Sequence, residues 1–150
     1  MGKVVLASGV FDLLHYGHLR FLEEAKKSGG EDAKLVVVVA RDKTVVRMKG
    51  EPPIMPEEER RALVEALKVV DEAILGFEDF DMERVLNTVR PDIVALGYDQ
   101  GYLEEKVKRA AKNIGINVKI VRIKKFGRRL SSSEIKKQIA KRFLESVETS

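Results

Sequence analysis

The chain has 150 residues, 44% of them hydrophobic and 35% charged, which sets the scale of one globular domain with an ordinary core. It has no cysteine, so disulfides, thiolate metal sites and thiol nucleophiles are excluded, and it has no apolar run of membrane-spanning length. The net charge of +4 is uneven: ten Lys/Arg and one acid lie between Lys119 and Arg142, and the remainder is acidic overall. A soluble, cytoplasmic protein is expected, because the N-terminus leads into Lys3-Val4-Val5-Leu6 without a signal-peptide layout.

The first strand is expected over Lys3–Ser8, followed by a turn at Gly9 and the string Gly9-Val10-Phe11-Asp12-Leu13-Leu14-His15-Tyr16-Gly17-His18. A helix marked by Leu19, Leu22 and Ala25 starts at the end of that string. Both histidines of the chain fall here, three residues apart. Imidazole N–H groups beside the free amides of a helix N-terminus suit a triphosphate, and phosphate oxygens would favour the imidazolium form. Either histidine alone reads as well as a helix cap or a packed side chain. The whole string after a strand reads as a phosphate pocket.

A second strand is expected over Lys34–Ala40. A long basic loop then carries Arg41, Lys43, Arg47 and Lys49 toward Gly50-Glu51-Pro52-Pro53, with the lysines and arginines left unranked. Pro56-Glu57-Glu58-Glu59 opens a helix with Leu63, Ala66 and Leu67 on its apolar face, since proline at the first position and acids in the first turn favour a start. Further strands are expected over Glu72–Leu75, Ile93–Leu96 and Val118–Ile123. The helices between them are marked by Met82, Val85, Leu86 and Val89, then by Val107, Ala110, Ala111 and Ile114. Gly97-Tyr98-Asp99-Gln100 follows the fourth strand. Asp99 there reads either as an acceptor for a base amino group or ribose hydroxyl, or as a turn-forming residue. Ser131-Ser132-Ser133-Glu134 forms a capping box ahead of a last helix with Ile135, Ile139, Phe143 and Val147. It also leaves hydroxyls and amides for a phosphate.

Non-alternating Val/Ile runs separated by helices of ten to fifteen residues predict a single-domain α/β protein with a Rossmann-like, doubly wound, five-stranded parallel sheet. Ligands of such sheets bind beyond the strand carboxyl ends, where the Gly9–His18 loop lies. There is no GxGxxG and no GxxxxGK[ST], so a nucleotide must be held another way.

At Gly-Val-Phe-Asp-x-x-His-x-Gly-His and at the serine triplet, the chain resembles the HxGH nucleotidyltransferase superfamily, whose members join a nucleoside monophosphate to a phosphorylated acceptor and release pyrophosphate. Arg41-Asp42, Gly50-x-Pro-Pro-Ile-x-Pro-Glu-Glu-x-Arg, Ala73-Ile74-Leu75-Gly76 and Leu96-Gly97-Tyr98-Asp99-Gln100 make it most similar to the archaeal FMN adenylyltransferase branch. The resemblance implies ATP and FMN as partners. Its alternative is glycerol-3-phosphate cytidylyltransferase, which uses CTP; cytidylyltransferases have Gly-Asp-Asp where this chain has Gly97-Tyr98-Asp99. It implies His15 and His18 as catalytic, and Val10, Phe11, Tyr16, Gly17, Lys43, Arg60, Tyr98, Asp99, Ser131, Ser132 and Ser133 as ligand-binding, with Arg60 near the acceptor phosphate. Arg128 or Arg129 would stand in for an Arg-Thr pair that relatives have before the serines.

A phosphorylated acceptor is already a nucleophile, so no general base is needed. Mg²⁺ is expected on the nucleotide phosphates and not in a protein site, with Asp12 the one nearby carboxylate. Met48, Ile54, Met55, Tyr98, Tyr102 and Phe126 are candidates to line a slot for the flavin ring. Members of the superfamily often dimerise, which makes a homodimer an expectation. The basic segment raises the competing reading of a nucleic-acid-binding module. It lacks an aromatic stacking platform or an RNA-binding motif, so nucleic acid is not the expected partner.

Overall fold

The computed structural model describes residues 2–78, 81–126 and 131–149. Its elements are β1 (Val4–Gly9), α1 (Tyr16–Lys27), β2 (Lys34–Val39), α2 (Asp42–Lys49), α3 (Glu57–Glu65), β3 (Glu72–Leu75), α4 (Met82–Val89), β4 (Ile93–Leu96), a 3-10 turn (Gly101–Leu103), α5 (Glu104–Ile114), β5 (Lys119–Arg122) and α6 (Ser132–Thr149). The five expected strands form within one residue of their expected bounds. All pair in parallel, in the order β3-β2-β1-β4-β5.

Successive strand residues point to opposite faces, so each buried strand feeds two cores. Val5, Ala7, Leu35, Val37 and Val39 pack with Leu22 and Ala25 of α1 and Val64 of α3 on one face. Leu6, Val38, Val94 and Leu96 pack with Leu86 of α4 and Val107, Ala110 and Ala111 of α5 on the other. The chain crosses to the far side of β1 when it passes from β3 to β4. The carboxyl ends of β1 and β4 therefore flank a gap at the topological switch point.

The basic stretch after β2 is a helix, α2, and not the loop expected from its charge. Thr44 and Val45 turn inward and are buried, while Gly50 closes the helix at φ 82° in the left-handed region that glycine favours. Eight residues with two buried positions carry too little periodicity to stand out in sequence.

Candidate active site

Between Gly9 and His15 the backbone takes a course that ordinary propensity opposes. Phe11 and Leu13 sit at φ 54° and 52°, in the left-handed region that costs a side-chain-bearing residue about 1–2 kcal/mol. Two buried charged groups hold the loop there. Arg60 is fully buried; its guanidinium donates to the carbonyls of Val10 (2.8 Å), Ala40 (2.7 Å) and Met55 (2.8 Å) and to Asp42 Oδ1 (2.6 Å). Asp12 accepts the amides of Ile54 (2.8 Å) and Met55 (3.0 Å) and pairs with Lys136 Nζ at 2.8 Å. Burial alone would raise the Asp12 pKa, but Lys136 and the two amides outweigh it and hold the carboxylate below its usual value.

Arg60, expected near the acceptor phosphate, is absent from the lining of the cavity described below; its guanidinium is engaged by three carbonyls and a carboxylate and acts as a strut beneath the loop. Asp12 is likewise engaged on both oxygens. Among the described residues no cluster of three or more His, Asp or Glu side chains exists that would hold a metal.

At the end of the loop the two histidines cap α1 together. His15 Nδ1 accepts the Gly17 amide at 3.0 Å, and His18 Nδ1 accepts the His15 amide at 3.2 Å. The rings stack with centroids 3.9 Å apart, and Phe11 lies against His18 at 5.4 Å. Gly17 is required by contact: a Cβ there would lie 2.8 Å from the His15 ring and 3.3 Å from the Phe126 carbonyl. With both Nδ1 atoms accepting, each imidazole is the neutral Nε2–H tautomer, leaving one N–H per ring to donate. Burial lowers the pKa of His15, and it pushes His18 down to about 4, helped by the neighbouring His15 and opposed by Asp12. The expected imidazolium is thus not the resting form, because protonation at Nδ1 would destroy the cap.

These rings line a cavity of about 470 Å³ over the carboxyl ends of the strands. It takes in Val10, Phe11, Gly17, Tyr98, Asp99 and Ser131–Ser133 of the expected residues. The N-termini of α1 and α6 thus face one space. Ser131 Oγ accepts the Glu134 amide at 3.2 Å, one half of the expected capping box, and Ser132 Oγ donates to the Asp12 carbonyl. Ser133 is exposed and lines the cavity.

Two expected residues lie elsewhere. Tyr16 is 64% exposed and outside the cavity lining, since α1 turns its first side chain outward. Lys43 also points outward, 3.9 Å from Glu78. Among the described residues, the cations on the cavity are Arg41, Lys49, Lys124 and Lys125. Arg41 is oriented by the Gly76 carbonyl (2.6 Å) and Glu57 (3.0 Å), and Lys125 lies over the Tyr98 ring at 5.1 Å. Arg128 and Arg129 lie outside the described residues. Of the expected flavin slot, Met48, Tyr98, Tyr102 and Phe126 line the cavity, whereas Ile54 and Met55 offer backbone amides to Asp12 instead. Sequence reading missed an apolar wall of Phe77, Met82, Val85 and Leu103. It named Gln100 only as part of the Gly97–Gln100 segment and did not foresee its bridge: Gln100 accepts the Gly97 amide at 2.9 Å and donates to the Ser8 carbonyl at 2.8 Å, joining the ends of β4 and β1. Phe77 and Gln100 each follow shortly after the end of a strand, the one signal that could have pointed to them.

A parallel sheet split at its switch point, with two helix N-termini and paired imidazole donors over one cavity, defines a nucleotide-phosphate site. Residues 6–138 match the cytidylyltransferase-like family model, and the chain belongs to that family. It is 53% identical over 146 residues to the FAD synthase of Methanopyrus kandleri, covering 97% of this chain and 94% of that one. It is 52% identical over 136 residues to the FAD synthase of Thermoplasma volcanium, covering 90% and 92%. The crystal structure of a protein described as a lipopolysaccharide core biosynthesis protein of Thermoplasma volcanium superposes with a TM-score of 0.76 at 49% identity, over 85% of this chain and all of that one.

Proposed function

We propose that this chain transfers AMP from ATP to FMN, forming FAD and pyrophosphate. The single observation that carries the reading is the pair of neutral imidazole donors, locked by their own backbone at the start of α1 and facing the serine-bearing start of α6 across one cavity. The FAD synthase names of relatives at about half identity over nearly the whole chain support the choice of ATP and FMN. They do not favour CTP with glycerol 3-phosphate.

The chemistry follows from what these groups offer. An ionised phosphate oxygen of FMN attacks the α-phosphorus of ATP in line, and the bond from that phosphorus to the α,β-bridging oxygen breaks. Pyrophosphate leaves with the electron pair, and no proton need be abstracted. The requirements are alignment and donors aimed at developing negative charge. Nε2–H of His15 and of His18 donate to the α-phosphoryl and bridging oxygens. The helix-start amides with Ser132 and Ser133 take the β- and γ-phosphates, and Lys124 and Lys125 add charge without an acid–base role. In this reading Asp99 and Tyr98, which line the cavity, meet the base and ribose. The apolar wall of Phe77, Met82, Val85 and Leu103 offers the flavin ring a dry surface.

In this reading Mg²⁺ arrives on the triphosphate as part of the substrate and neutralises its charge. The same reading places the enzyme in the cytoplasm, where ATP is available; among the described residues no helix is long and apolar enough to cross a membrane.

The test crosses ATP and CTP against FMN and glycerol 3-phosphate, with pyrophosphate release and chromatography as readouts. FAD from ATP plus FMN alone is expected. CDP-glycerol would replace this reading with the cytidylyl one.

A further inference from the structure

Strands β1 and β4 pair as far as Ala7 and Ala95, where their ladder ends. Beyond that point each stays with its outer neighbour. Ser8 and Gly9 remain opposite Val38 and Val39 of β2, and Leu96 remains opposite Arg122 of β5. Ser8, Gly9, Gly97 and Gln100 line the cavity where the strands part. Backbone polar groups of successive strand residues point to alternate sides. The Gly9 carbonyl accepts the Ala40 amide beyond β2 (2.9 Å), and the Leu96 carbonyl accepts the Ile123 amide beyond β5 (2.8 Å). The Ser8 carbonyl and the Gly97 amide therefore turn toward the gap, where each needs a partner.

Gln100 supplies both. Its Oε1 accepts the Gly97 amide at 2.9 Å, and its Nε2 donates to the Ser8 carbonyl at 2.8 Å. The two ends of the carboxamide cannot be exchanged, because an amide only donates and a carbonyl only accepts. The side chain thus acts as a detached peptide group that carries the ladder one rung past the split. The main chain of the same residue closes a β-turn, its amide donating to the Gly97 carbonyl at 3.0 Å. Both backbone polar groups of Gly97 are bound to Gln100, and the residues between them are Tyr98 and Asp99. Those two are exposed and line the cavity. Across the gap, Ser8 leads through Gly9–Leu14 to His15 and His18.

We propose that Gln100 is a positioning residue that acts through the Tyr98–Asp99 turn, holding it in register with β1 and the histidine loop. The inference rests on the adenylyl-transfer reading, in which that turn meets the base and ribose and the imidazoles meet the α-phosphoryl group. A base held at the turn then fixes where the α-phosphorus lies against the two Nε2–H donors, which is the alignment that transfer requires. The role calls for one donor and one acceptor at the reach of glutamine. Methionine has the length and neither bond. Glutamate keeps the acceptor, but its ionised carboxylate has no proton for the Ser8 carbonyl.

Equilibrium dialysis with Mg²⁺ compares ATP with inorganic tripolyphosphate, which offers phosphates to the helix starts and cations but has no base. Q100M is expected to weaken ATP binding about tenfold and to leave tripolyphosphate within about twofold of the wild type. Q100E adds a charge that opposes both ligands, and its loss on ATP is expected to be about tenfold the greater. Turnover of Q100M at saturating ATP is expected to fall about tenfold, with KM for FMN unchanged. Circular dichroism confirms that each variant is folded. NMR of the unmutated protein, which no folding defect touches, is expected to show the Nε2 proton exchanging with water at least about tenfold more slowly than in free glutamine. Equal losses on both ligands would make Gln100 a stabiliser of the fold alone and overturn the proposal. Wild-type ATP binding in Q100M overturns it too, as does an unshielded Nε2 proton or a wild-type preference between the ligands in Q100E. A wild type that binds no ATP overturns the adenylyl-transfer reading itself.

Discussion

His18 Nδ1 accepts the backbone amide of His15 at 3.2 Å while the two rings stack 3.9 Å apart, so the backbone of His15 fixes the tautomer of His18 and the stacked rings hold one another in place. In a common capping box a Ser or Thr and a Glu or Gln exchange these bonds. Imidazoles in that role leave their second nitrogen as an outward donor. In the proposed reaction the helix cap is also the phosphate ligand.

His15→Ala and His18→Ala are each expected to lower turnover by on the order of 10²–10³, the cost of one preorganised electrostatic donor. Each also removes a cap, at about 1 kcal/mol of stability. Steady-state kinetics with ATP and FMN, beside a denaturant titration, separates the two effects. Near-wild-type turnover in both variants would refute the assigned role.

The same bonds set a pH dependence. A His18 pKa pushed down to about 4, against an ordinary value of 6.5, means that the unfolded chain binds the proton more readily than the folded one. The stabilisation is complete above pH 6.5 and is lost as the pH falls from 6.5 toward 4, by on the order of 3 kcal/mol in all. Urea unfolding across that window reads the loss, and nitrogen-detected NMR should show Nε2–H tautomers of both rings at pH 7. An imidazolium at pH 7 in the free protein would contradict the geometry.

Arg60→Met leaves the Val10, Ala40 and Met55 carbonyls and the Asp42 carboxylate short of donors in a buried setting. A destabilisation of on the order of 3–5 kcal/mol is expected. The effect should appear as a lowered melting temperature together with loss of turnover. A selective rise in KM for FMN at unchanged stability would return Arg60 to the acceptor site.

Asp12→Asn weakens the ties to Lys136 and to one of the two amides, at a cost of about 1–3 kcal/mol. Because its carboxylate already has three donors, the Mg²⁺ concentration for half-maximal turnover is expected to stay unchanged. A severalfold rise in that concentration would make Asp12 a metal ligand.

Lys124→Ala/Lys125→Ala removes two cavity-lining cations that take no part in proton transfer. KM for ATP is expected to rise about tenfold or more, and the gap to the wild type is expected to widen as salt is lowered, because the wild-type KM falls more steeply. Kinetics at two salt concentrations decide it.

The sequence by itself determined the five strands, their parallel pairing and the His15–His18 and serine-triplet helix starts, because hydrophobic period and cap chemistry act over a few residues. It did not determine which charges face the ligand. Arg60 and Lys43 look alike in sequence, as do Lys49 and Lys124; Arg60 is buried under the loop and Lys43 reaches out to Glu78, while Lys49 and Lys124 line the cavity. That sorting depends on contacts between distant segments, such as Val10 with Arg60 or Asp12 with Lys136. The left-handed turns at Phe11 and Leu13 belong to the same set, since no local preference favours them. Only the tertiary structure supplies the buried donors that make such a backbone the stable one.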